Sequence, residues 1–159
     1  EPGAAPTAAV QNVALPPDET ARACADAMWK EDDASQSLGM KIVEIRPGQA
    51  TLTMTVQPHM VNGQRIAHGG FIFLLADSTF AFACNSHNQR AVAAQCDIAF
   101  IRPGKLGDVL VATAREISRS GRSGIYDVRV TSGDVVIAEF RGHSRTIAGI
   151  WLPVTDAKQ

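Results

Sequence analysis

Apolar and polar residues alternate most regularly at positions 50–57, where Ala50, Leu52, Met54 and Val56 are separated by Thr51, Thr53, Thr55 and Gln57. A period of two predicts a half-buried antiparallel strand with a hydroxyl-bearing outer face. Ahead of it, residues 40–45 read as a strand that turns at Arg46-Pro47-Gly48. Earlier still, Ala21, Cys24, Ala25 and Met28 recur at helical spacing. They predict a helix capped by Asp18, and a short helical piece over 34–38 can stop at Gly39. Behind the alternation, a loop over 58–67 holds Asn62-Gly63 and leads to His68-Gly69-Gly70. There a helix opens and runs to about Cys84.

The rest of the chain reads as strand. Residues 92–101 end at Arg102-Pro103-Gly104, 109–117 lead into Ser120-Gly121-Arg122-Ser123, 125–131 turn at Gly133-Asp134, and 135–147 close the set. Short glycine turns between such strands predict one antiparallel meander. One long helix between an N-terminal hairpin and a run of strands is an α+β pattern. Phe71, Ile72, Phe73, Leu74, Leu75, Phe80 and Phe82 make that helix apolar on nearly every side. It must be buried all round, and a curled sheet would do this.

Composition narrows the class. The 159 residues fit one domain, taken as 18–150, with a flexible tail at 1–17 and a second tail at 151–159. Hydrophobic residues are 45% and charged residues 19%, with a net charge of −1. A nucleic-acid binder carries a basic surplus, which is missing. The longest apolar stretch, 71–84, is broken by Asp77, Ser78 and Thr79 and is too short to span a bilayer. The Ala- and Pro-rich start lacks the basic and continuous apolar regions of a signal peptide. Cys24, Cys84 and Cys96 are odd in number and widely spaced, as expected of reduced thiols in a cytoplasmic protein.

Asp77 is the residue with chemical content, because a carboxylate among apolar neighbours is costly unless paired or functional. Its structural alternative is a hydrogen bond to Ser78 or Thr79. Gly69 and Gly70, at the helix start, allow close approach of a substrate to free N–H groups that can stabilise an oxyanion. Their structural alternative is a tight turn. Gly69 and Asp77 are eight residues apart, about 12 Å along a helix axis. One helix therefore cannot bring both to one carbonyl, whereas two antiparallel copies in a two-fold dimer can. No GxSxG elbow or HExxH pair occurs, which sets aside serine-hydrolase and zinc readings. His59, His87 and His143 have no ligand spacing and read as surface or strand residues, so no metal or cofactor is expected.

His68-Gly69-Gly70, Ala76-Asp77, residues 80–86, the run Asp97-Ile98-Ala99-Phe100-Ile101-Arg102-Pro103-Gly104 and Tyr126-Asp127-Val128 together resemble the hotdog-fold thioesterases of phenylacetic acid degradation. The resemblance spans about residues 25–147. It implies a long helix wrapped by a curved sheet, homodimers assembling to a homotetramer, and hydrolysis of an aryl- or arylacetyl-CoA. By motif it implies Asp77 as the catalytic carboxylate, the Gly69 N–H as oxyanion donor, Asn62 as a loop amide on the thioester and His68 as a positioning residue. It also points to Gly70, Ser78 and Arg102, and to the hairpin Gly121, Arg122 and Ser123, as substrate contacts. Related hydroxybenzoyl-CoA thioesterases carry Glu at the Asp77 position and Thr where this chain has Ala81. Two other readings stand on the same fold: a non-catalytic acyl-CoA-binding module, and a hydratase or dehydratase.

Overall fold

The computed structural model describes residues 14–153. The expectations for residues 1–13 and 154–159 lie outside the described residues. Two short helices, α1 (Pro17–Trp29) and α2 (Asp33–Ser37), precede the hairpin β1 (Lys41–Arg46) and β2 (Gln49–Thr55). The long helix α3 (Gly69–Cys84) follows, then β3 (Ala91–Phe100), β4 (Val109–Ser120), β5 (Ser123–Ser132) and β6 (Val135–Thr146). Asp18 is not the cap of α1: Pro16 occupies that position, Pro17 supplies the fixed φ of a first turn, and Asp18 lies inside that turn. α2 begins one residue earlier than expected, because Asp32 caps it by accepting from the Ser35 N–H at 3.0 Å.

The strands form one six-stranded antiparallel sheet in the order β1-β2-β4-β5-β6-β3. The expected single meander is therefore corrected. Of the strands after α3, only β4, β5 and β6 run as hairpins, while β3 leaves the helix and pairs with β6 at the far edge, Ala91 opposite Thr146. Turn residues report only which strands are joined by short loops, and β3 is joined to β4 by a longer connection.

Alternation holds in β2, where Ala50, Leu52 and Met54 are buried under α3. The helix sits in the concave face against Leu110, Ala112, Val128, Val130 and Ile137. Gly142 on β6 lets the helix close in, since a Cβ there would lie 2.8 Å from the Phe80 ring. Burial all round is corrected too. Ile72, Leu75, Ala76, Thr79, Phe80, Phe82 and Ala83 are buried, but Phe73, Leu74, Asp77, Ser78 and Ala81 are only half-buried. A stripe of α3 is left uncovered by its own sheet.

Candidate active site

The loop into α3 is built by its own backbone and one asparagine. Asn62 Oδ1 accepts from the N–H groups of Gln64 (3.0 Å) and Ile66 (3.4 Å). That turn leaves Arg65 at a positive φ of 63°. Asn62 Nδ2 has no hydrogen-bond partner among the described residues, so the amide keeps its donor face free. His68 then acts as the N-cap, its Nδ1 accepting from the Gly70 N–H at 2.9 Å. The Phe71 and Ile72 N–H groups reach the His68 carbonyl at 3.0 and 3.5 Å. Of the first-turn donors, the Gly69 N–H alone has no partner among the described residues. A Cβ at Gly69 would lie 2.9 Å from Phe100 Cζ, so glycine lets that ring lie over the helix start. Asn62, Gly69, Phe100 and Arg102 share a cavity of about 380 Å³.

Asp77 opens into a different cavity of about 350 Å³, lined by Met28, Phe80, Ala81, Val92, Ile147 and Trp151 among others. Its carboxylate makes no hydrogen bond among the described residues. Both hydroxyls that were the structural alternative are engaged elsewhere. Thr79 Oγ1 donates to the Leu75 carbonyl at 2.7 Å, and Ser78 Oγ pairs with Ser35 Oγ at 2.8 Å. Ser78 does not line the Asp77 cavity. Burial raises the Asp77 pKa above the ordinary aspartate value, and no cation nearby lowers it.

The third cavity, of about 870 Å³, lies at the hairpin and brings Gly121, Arg122 and Ser123 together with Arg119, His87 and Tyr126. It adjoins the Asp77 cavity through the shared walls Cys84, Ala91 and Ile147. Burial first, and then the nearby Asp77 charge, push the Cys84 thiol up to about 12, which favours the protonated thiol over the thiolate. Arg102 sits with Gly69 instead, apart from the hairpin. His87 is not the plain surface residue expected: it is half-buried, with Nε2 2.9 Å from Glu116 Oε1. Sequence reasoning missed Met28, Arg90 and Trp151 at the Asp77 cavity. A tryptophan in a stretch read as a tail was the signal available. Among the described residues, no group of three His, Cys, Asp or Glu side chains could hold a metal ion. No helix among them is long and apolar enough to cross a membrane.

A long helix held in the concave face of one antiparallel sheet is the hotdog architecture. Comparison with known proteins carries this further. The thioesterase superfamily profile matches residues 64–139. The acyl-coenzyme A thioesterase PaaI of Escherichia coli strain K12 is 43% identical over 126 residues, covering 79% of this chain and 90% of its own. The solved structure of the E. coli PaaI protein from the phenylacetic acid degradation operon superposes with a TM-score of 0.83 at 40% identity, over 85% of this chain and 99% of that one. A Streptococcus mutans UA159 protein, solved bound to acetyl CoA, has a TM-score of 0.67 at 27% identity, over 70% and 90% of the two chains. The chain therefore belongs to the thioesterase superfamily, among its hotdog-fold acyl-CoA thioesterases, and is a thioester hydrolase.

Proposed function

We propose that the protein hydrolyses aryl- or arylacetyl-CoA thioesters to the free acid and CoA, at sites shared by two copies of the chain. The observation that carries this reading is the separation of two unsatisfied groups. The Gly69 N–H and the Asp77 carboxylate lie in different cavities of one copy. An antiparallel pairing of two α3 helices through their uncovered stripes would bring the Gly69 of one copy to the Asp77 of the other, twice by symmetry. β3 is an edge strand of 10 residues, paired with β6 on one side, and its other side could offer backbone groups to a second copy. Such dimers would pair further into a tetramer.

In that site the thioester oxygen would accept from the Gly69 N–H, with the free Asn62 Nδ2 as a second donor. The Asp77 carboxylate would act on the carbonyl carbon, either directly or by taking a proton from an attacking water. The sulfur leaves as the CoA thiol, and water supplies the oxygen of the acid. His68 would position Gly69 by capping its helix, with Gly70 as the N–H it holds. Arg122 and the hairpin Gly121 and Ser123 would receive part of the CoA, with Arg102 near the carbonyl. The mostly apolar wall around Asp77 suits an aromatic acyl group. Thiol release from phenylacetyl-CoA, benzoyl-CoA and straight-chain acyl-CoAs tests the assignment. The aromatic thioesters should show the highest kcat/KM, and a clear preference for straight chains would overturn the substrate class.

A further inference from the structure

Residues 147–152 leave the end of β6 and lie against the turn between α3 and β3. Backbone bonds begin the strap: the Ile147 N–H donates to the Arg90 carbonyl at 2.8 Å, and the Arg90 N–H to the Gly149 carbonyl at 3.1 Å. Two asparagines finish it. Asn88 Oδ1 accepts from the Trp151 and Leu152 N–H groups at 3.0 and 2.8 Å. Asn85 Oδ1 accepts from the indole Nε1–H of Trp151 at 2.9 Å. Asn85 is 2% exposed, and its Nδ2 donates to the Ala81 and Ala91 carbonyls at 2.9 and 3.1 Å. One buried amide thus ties the indole to the last turn of the helix that carries Asp77. The Arg90 guanidinium covers the indole, with Cζ 3.8 Å from the ring centroid. Trp151 also lines the Asp77 cavity, where Met28, Phe80 and Val92 are among the other walls.

We propose that Trp151 is the specificity-determining wall of the Asp77 cavity, held there by its bonds to Asn85 and Asn88 so that a flat aromatic acyl group packs against its indole. This rests on the thioesterase reading of the Asp77 site. A rigid aromatic wall favours a planar ring over a flexible chain of equal carbon number, because ring-on-ring contact adds to simple burial. The indole N–H bond to Asn85 is separable from the wall, since phenylalanine keeps an aromatic face and loses that bond.

The test compares phenylacetyl-CoA with octanoyl-CoA in the wild type, Trp151→Ala and Trp151→Phe proteins. In the alanine variant the ratio of kcat/KM for the two substrates should fall about ten-fold in favour of octanoyl, and in the phenylalanine variant it should stay within about three-fold. Equal losses on both substrates, or a phenylalanine variant that behaves like alanine, would mean that the tryptophan only holds the strap. A second measurement reads the ring itself. In an Asp77→Asn, Trp29→Phe protein, phenylacetyl-CoA should change the Trp151 emission and CoA alone should not. Emission that responds to the phenylacetyl group in a protein whose wild type hydrolyses no thioester would leave the wall standing and remove the thioesterase reading. Hydrolysis with an unchanged ratio and a silent Trp151 would do the reverse, and silence in both would remove both.

Discussion

Asp77 combines three features: it is half out of water, its pKa is raised by burial, and it has no hydrogen-bond partner among the described residues. A raised folded-state pKa favours the protonated acid in the fold. The stability it contributes is full below the unfolded pKa, about 3.9 for an ordinary aspartate, and is lost as pH rises through the raised value. Asp77→Asn should therefore melt at a higher temperature than the wild type at pH 7, with the gap closing in acid. The same variant should lose at least about a hundred-fold in kcat. In the wild type, kcat/KM should climb with pH as the carboxylate ionises, at an apparent pKa above the ordinary one. An Asn variant that is less stable at pH 7 would mean that the carboxylate has a stabilising partner. Asp77 was legible because a charge inside an apolar helix breaks a pattern. Trp151 was not, because its partners Asn85 and Asn88 lie more than sixty residues earlier in the chain.

The last turn of α3 is locked to the sheet by a polar network. Ser86 Oγ accepts from the Gly48 N–H at 2.7 Å, and the Glu116 N–H returns to the Gly48 carbonyl at 2.8 Å. Glu116 Oε1 takes the Tyr126 hydroxyl at 2.7 Å and lies 2.9 Å from His87 Nε2. Burial pushes the Glu116 carboxyl up, but the bonds from Tyr126 and His87 outweigh it and hold the pKa below the usual glutamate value. A lowered folded-state pKa gives stability that is present above the unfolded pKa and lost as pH falls through the folded one. Tyr126→Phe should cost about 1–2 kcal/mol in urea unfolding at pH 7, toward the low end because Glu116 is partly open to water. The loss should shrink in acid, and a variant as stable as the wild type would contradict the lock. The hairpins on either side of β5 were legible because Gly121 and Gly133 mark their turns, both at positive φ. The place of β3 was not, because its partner β6 lies beyond β4 and β5 in the chain, and a pairing between such distant segments leaves no local mark.

At the scale of the molecule, one chain presents two separate cavities along α3, an uncovered helix stripe and an edge strand with one side unpaired. The separation of Gly69 from Asp77 was legible from their spacing alone, since helix geometry converts sequence distance into length. The three cavities were not, because their walls come from distant segments. The shared site is the central claim, and mixed assemblies test it. One partner carries Asp77→Ala. The other carries Gly69→Val, whose side chain would press on Phe100 and fill the space above the free N–H. Each variant alone should be nearly inactive, with folding confirmed by circular dichroism and assembly by gel filtration. In a mixed pair one site receives both lesions and the other receives neither. Assemblies isolated through two different tags should therefore recover up to about half of the wild-type activity, as two-fold symmetry requires. No recovery in verified mixed assemblies, or full activity in a verified monomer, would contradict the shared site and the role of Gly69 in it.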